Sequence, residues 1–232
     1  MSAYTIIVAN KTGSYQNYAL FHERPHFTPN VLEKMYAPSA SVIAQARVPT
    51  GQQSRFYLHK TYYAICGSSQ STQLQGVDVM VYDEKPIALG SSTSEDAHSP
   101  GSTFAVQVVD QALQFDDDKE LANGGTKDSF EIKTQNDFTA EEAKQNSYMI
   151  GYGASYTGRG SSGPPATFIP QPNRSYHITP NRVFYLGYGY YTKDSIIGVS
   201  ETENLLKLDF ATLKADVEVI HNQEGRLKIQ AA

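Results

Sequence analysis

The stretches SYMIGYGASYT (residues 147–157) and VFYLGYGYYTK (residues 183–193) decide the fold class. Aligned without a gap, both read aromatic, any residue, Ile or Leu, then Gly-Tyr-Gly. Side chains of an extended chain alternate between two faces. Tyr148, Ile150, Tyr152, Ala154 and Tyr156 therefore share one face of the first segment, and Phe184, Leu186, Tyr188 and Tyr190 share the matching face of the second. The opposite faces hold Met149, Gly151, Gly153 and Ser155, and Tyr185, Gly187, Gly189 and Tyr191. One face suits a core or a pocket wall, and the other bares backbone at its glycines. Glycine weakens a strand, so its doubled use implies that something approaches the backbone closely there. That visitor is either a ligand ring or an aromatic of the same chain lying over the glycine. The internal partner is the simpler reading, because a buried aromatic needs no external explanation.

Outward from these segments the same punctuation recurs. Short β-branched and aromatic runs such as YTIIVA, NYALF, RFYLHKTYYAI, VDVMVY, TFAVQVV, FEIKT and DVEVIH are separated by turn residues, which is the pattern of an all-β protein. Helical signals are confined to a capping box at Thr139-Ala140-Glu141-Glu142 and a turn or two in PNVLEKMY. The expectation is a single domain, residues 1–232, folded as a two-layer antiparallel β-sandwich or flattened barrel with at most a few short helices. Tyr4 to Phe21 reads as a hairpin around Gly13, and the last two strands flank a second hairpin at Asn222-Gln223-Glu224-Gly225. Long polar stretches at 90–102, 115–129 and 157–175 interrupt the strands, and loops of this length in a folded domain commonly carry function.

Composition limits the partners. Charged residues are 19% of 232, the net charge is −5 and the pI is near 5.7, which argues against nucleic acid or an anionic membrane held by charge. No apolar run reaches bilayer-spanning length. The opening MSAYTIIVANKTG has no charged n-region or long apolar h-region, so the expected compartment is the cytoplasm. On that reading the sequons Asn10-Lys11-Thr12 and Asn173-Arg174-Ser175 go unused. The single cysteine, Cys66, lies in the apolar run TYYAICGSS and reads as a small buried thiol.

Candidate chemistry is sparse. Gly158-Arg159-Gly160-Ser161-Ser162-Gly163 matches G-x-G-x-x-G, but Pro164-Pro165 follows where a phosphate-binding helix would have to start. Arg159 at this loop remains a candidate contact for an anionic ligand group. His22 and His26 are spaced as in zinc helices, yet Pro25 forbids the helix, so no metal and no cofactor are expected. His177, in RSYHI, and Asp194, directly after the tyrosine strand, are the candidate acid–base groups. There are 16 Tyr and no Trp, too many phenols for all to lie in a dry core with satisfied hydroxyls. The leading expectation is a cofactor-free binder of an aromatic or polycyclic small molecule. Its pocket is built from Tyr152, Tyr156, Tyr188 and Tyr190, with Gly151, Gly187 and Arg159, and the 157–175 loop lies at its mouth. The rival is a cofactor-independent isomerase, cyclase or lyase in the same pocket. A third reading is a lectin-like or structural protein that self-associates into homo-oligomers through its tyrosines.

Overall fold

The strand runs pair into four main sheets and one small ribbon in the computed structural model, which describes residues 3–23, 25–29, 40–59, 61–72, 76–94, 97–119, 121–155, 166–191, 196–197 and 205–230. Sheet I contains β1 (Ala3–Asn10), β5 (Gln53–His59), β19 (Asp216–His221) and β20 (Leu227–Ile229), in the order β20-β19-β1-β5. Sheet II contains β2 (Gln16–Glu23), β4 (Ala40–Val48), β16 (Val183–Tyr188), β17 (Ile196–Ile197) and β18 (Leu206–Asp209), in the order β17-β4-β2-β16-β18. Sheet III contains β3 (His26–Thr28), β10 (Thr103–Val109), β11 (Ala112–Phe115), β12 (Phe130–Thr134) and β15 (Ser175–Thr179), in the order β11-β10-β12-β15-β3. Sheet IV contains β6 (Thr61–Thr72), β7 (Gly76–Pro86), β13 (Tyr148–Ser155) and β14 (Ala166–Phe168), in the order β14-β13-β6-β7. A ribbon of β8 (Ser91–Ser94) and β9 (Ala97–Ser99) occupies much of the first long polar stretch. Pairing is antiparallel except between β1 and β19 and between β10 and β12. The fold is all-β and sandwich-like, and none of these sheets closes into a barrel.

Where the sequence suggests one sizeable core, the buried side chains gather into two large clusters. One lies between sheets I and II and includes Ile6, Val8, Leu20, Phe56, Leu186 and Val219. The other lies between sheets III and IV and includes Val106, Leu113, Phe130, Ile132, Ile150 and Phe168. The burial pattern of β1, strictly alternating, shows the cause at the level of sequence: each strand offers one apolar face and each pair of sheets closes over two such faces. The chain starts in the first sandwich, builds most of the second from β6 to β15, and returns to the first with β16.

The proposed hairpin from Tyr4 to Phe21 does not form. β1 pairs with β19 and β5, whereas β2 pairs with β4 and β16, so the two strands face each other across the core rather than side by side. Asn10 shapes the arch between them. Its side-chain amide donates to the carbonyls of Ser14 (2.8 Å) and Val48 (2.9 Å), and its oxygen accepts from the Thr12 amide and hydroxyl. A fully buried Asn with both amide hydrogens committed supports the arch and offers no free nitrogen at the first sequon. The hairpin of β19 and β20 forms as read.

The one helix among the described residues, α1 (Ala140–Gln145), begins at the capping box legible in the sequence: Thr139 accepts from the Glu142 amide, and the Glu142 carboxylate accepts from the Thr139 amide. The second long stretch is fastened to the first by backbone hydrogen bonds. Gly101 and Gly125 exchange bonds of 2.8 and 3.0 Å, Gly90 donates to Ser129, and Asp128 donates to Gly90. Cys66 is buried in the second core, its thiol pushed well above the usual value by burial, and it donates to the Leu113 carbonyl at 3.4 Å. No helix among the described residues is long and apolar enough to cross a membrane.

Candidate functional site

The two Gly-Tyr-Gly strands lie in different sheets, β13 in sheet IV and β16 in sheet II; Tyr152 is buried in the second core, and Tyr188 packs against the first. The aromatic faces point as the alternation requires: Tyr148, Ile150 and Tyr152 into the second core, Phe184 and Leu186 into the first. Close approach at the glycines is made by the protein itself. A Cβ on Gly151 would lie 2.1 Å from the Ala166 carbonyl oxygen of β14, and one on Gly187 would meet Leu205 at 2.7 Å and Phe21 at 3.1 Å. Phe21 and Tyr191, edge to face at 4.9 Å between ring centres, form with Ala19, Tyr185 and Leu205 a small apolar cluster over that glycine. Tyr156, Arg159 and Asp194 lie outside the described residues, as do residues 157–165 of the proposed mouth.

Tyr152 is fully buried and joins the two cores. Its hydroxyl is 2.7 Å from His22 Nδ1, and His22 Nε2 is 2.9 Å from the Asn181 carbonyl. A carbonyl only accepts, so Nε2 carries the hydrogen and Nδ1 accepts from the phenol. Burial drives the imidazole down to about 4, against a smaller upward pull from the Asn181 carbonyl. The His22 ring packs on Phe184 at 4.5 Å. Both nitrogens of His22 are thus committed inside the protein, while His26 is exposed on β3. The described residues contain no group of three potential metal ligands.

His177 has a carboxylate partner that spacing in the sequence does not reveal. Glu131 lies opposite His177 in the β12–β15 ladder and is 5% exposed. Its Oε1 accepts from the Ser175 hydroxyl and lies 3.9 Å from His177 Nε2. Its Oε2 accepts from Thr103 at 2.9 Å and lies 3.4 Å from Lys133 Nζ. Thr103 in turn accepts from the Gly124 amide at 2.7 Å, which ties the second long loop to the sheet. Burial works against the ionised carboxyl, but the bonds from Ser175 and Thr103 and the nearby Lys133 and His177 outweigh it and hold Glu131 below its usual value. Each oxygen of this carboxylate accepts one hydrogen bond from a neighbouring strand, so the cluster acts as a staple between loop and sheet. His177 Nδ1 is buried without a hydrogen-bond partner among the described residues.

Among the described residues, Tyr188 borders an open groove. The groove, of about 230 Å³, opens at the end of the first sandwich, lined by Tyr188, Leu205, Leu206 and Leu227 together with Gly225, Arg226 and Lys228. The Tyr188 hydroxyl donates to the Gly225 carbonyl at 2.9 Å, and its ring lies 4.2 Å from that of His221. His221 is buried and sits behind Tyr188. Its Nδ1 is 2.9 Å from the Tyr18 hydroxyl. Burial lowers the His221 pKa, with the Gly225 backbone pulling the other way, and burial raises that of Tyr18, aided by Tyr188. The neutral phenol therefore donates to a neutral imidazole. Tyr190, the next aromatic along, is 95% exposed beyond the end of β16. Arg226, Lys228 and the three leucines escaped the sequence reading because they lie on segments around β18 and β20, far along the chain, that meet the end of β16 only in the folded protein.

No protein-family model, no curated protein and no solved structure matches this chain.

Proposed function

We propose that the protein binds a small, largely apolar organic molecule, aromatic or polycyclic, in the groove beside Tyr188. The observation that carries this reading is the lining itself. Tyr188 and three leucines, each packed on one side against a buried cluster, border an open groove together with Gly225, Arg226 and Lys228. That combination of apolar area with a few orienting polar groups is what small-molecule sites share. Rings such as Tyr188 give contact area at low entropic cost, and its hydroxyl, already held by Gly225, fixes the ring's orientation.

The test uses N-phenyl-1-naphthylamine, a neutral dye whose fluorescence rises in apolar surroundings. The wild-type protein binds it, Tyr188→Phe keeps most of the affinity because the ring remains, and Tyr188→Ala loses it while circular dichroism stays that of a β protein. A wild-type protein that leaves the dye dark, or a folded Tyr188→Ala that binds it unchanged, overturns the reading.

A further inference from the structure

Four chain segments converge at the end of the first sandwich, and strand register shows why. Asn10 at the end of β1 pairs with His221 at the end of β19. Gln16 at the start of β2 pairs with Val48 at the end of β4, and Ala9 pairs with Gln53 at the start of β5. Tyr188 at the end of β16 pairs with Tyr18, and the Gly189 amide continues the ladder to the Asn17 carbonyl. The connections 11–15, 49–52, 189–191 and 222–226 therefore share one end. Hydrogen bonds from Lys11 to the His221 carbonyl, from Gly51 to the Asn10 carbonyl and from Gly13 to Thr50 tie them together.

The exposed charges on these connections and on the strand ends beside them run against the character of the chain. Among the described residues, Lys11, Arg47, Arg226 and Lys228 are exposed here with Glu224 as the acidic counterpart, in a protein of net charge −5. Arg47 lies 5.1 Å over the ring of Tyr15, which is itself 63% exposed. Two of these cations, Arg226 and Lys228, line the Tyr188 groove, and no carboxylate among its lining residues neutralises them. Like charges gathered beside one groove repel one another unless an anion joins them.

We propose that the groove's ligand carries an acidic group, a carboxylate or comparable organic oxyanion. Its apolar body lies against Tyr188 and the leucines and its acid group meets Arg226 and Lys228. Arg47 and Lys11 at the same end add to the field that draws it in. The guanidinium of Arg226 matches the planar, two-oxygen geometry of such a group. This proposal rests on the groove reading above and adds the charge of the ligand.

The experiment compares N-phenyl-1-naphthylamine with 8-anilinonaphthalene-1-sulfonate, the same ring system bearing a sulfonate, on the intact protein. At low ionic strength the sulfonate binds about tenfold tighter, the size expected for two solvent-exposed charge contacts. Unlabelled 1-naphthoate displaces it, and salt near 0.5 M erases the preference. The double variant Arg226→Gln/Lys228→Gln, altered only at exposed side chains, brings the two dyes to equal affinity. Equal binding of both dyes by the wild type, or a preference that survives the double variant, overturns the acid-group proposal and leaves the groove reading standing. Silence of both dyes overturns the groove reading and this proposal with it.

Discussion

Lowering the pH from 7.5 to 4 should remove about 3 kcal/mol of stability through His22 alone. Above pH 6.5 this imidazole is neutral in the folded and the unfolded chain, and its full contribution is present. As the pH falls, the unfolded chain takes up a proton near the ordinary value of 6.5, while the folded protein resists until about 4, because the ring is fully buried. Its one hydrogen is already given to Asn181 and its other nitrogen accepts from Tyr152. A fall from 6.5 to about 4, at about 1.36 kcal/mol per pH unit, gives that figure. In a chain of this size it corresponds to a drop in melting temperature of roughly 6–12 °C. His22→Gln supplies the control, since a carboxamide still donates to Asn181 and accepts from Tyr152 but does not titrate. The variant should be less stable at pH 7.5, having lost ring contact with Phe184, and the gap to the wild type should close as the pH approaches 4. Glu131 and His221 also titrate, but they are common to both proteins and cancel in the difference. Thermal melts of the two proteins across this range give the stability gap, and the NMR titration of the His22 ring gives the pKa directly. A ring that titrates near 6.5, or two melting curves that run parallel down to pH 4, would refute the reasoning.

At the two repeat glycines, Gly151→Val should cost about 4 kcal/mol or more, because the obstacle is the Ala166 backbone and β14 must leave the sheet. Gly187→Val meets side chains that can yield and should cost about 1–3 kcal/mol. It also displaces Leu205 and should weaken dye binding in the groove it borders. Urea melts rank the pair, and a Gly151 variant as stable as the wild type would contradict the backbone contact. Glu131→Gln should lower stability by about 1–3 kcal/mol at pH 7, the value of hydrogen bonds to a charged group. Because the folded carboxyl is held below 4.5, that advantage is present above 4.5 and lost as the pH falls through the lowered value. The gap between variant and wild type should therefore shrink between pH 7 and pH 3, and a gap that stays constant would show that the charge of Glu131 does not stabilise the fold.

Local regularities of the sequence determined the all-β class, the inward faces of both Gly-Tyr-Gly strands, the capping box at Thr139, the β19–β20 hairpin and the burial of Cys66. Each of these depends on residues a few positions apart, where strand alternation, helix capping and turn chemistry act. Pairing across the chain was decided only in the tertiary structure. The arch after Asn10 sends β1 and β2 into opposite sheets, a choice that turns on register with β19 and β4 far along the chain. The division of the buried residues into two cores follows from such pairings, since a strand's apolar face shows that it is buried but not against which partner. The candidate sites follow the same rule. Tyr188 was legible as an aromatic at the end of a glycine-broken strand. Arg226 and Lys228 beside it, His221 behind it, and Glu131 beside His177 come from distant segments, and only the closing of the sheets brings them within reach.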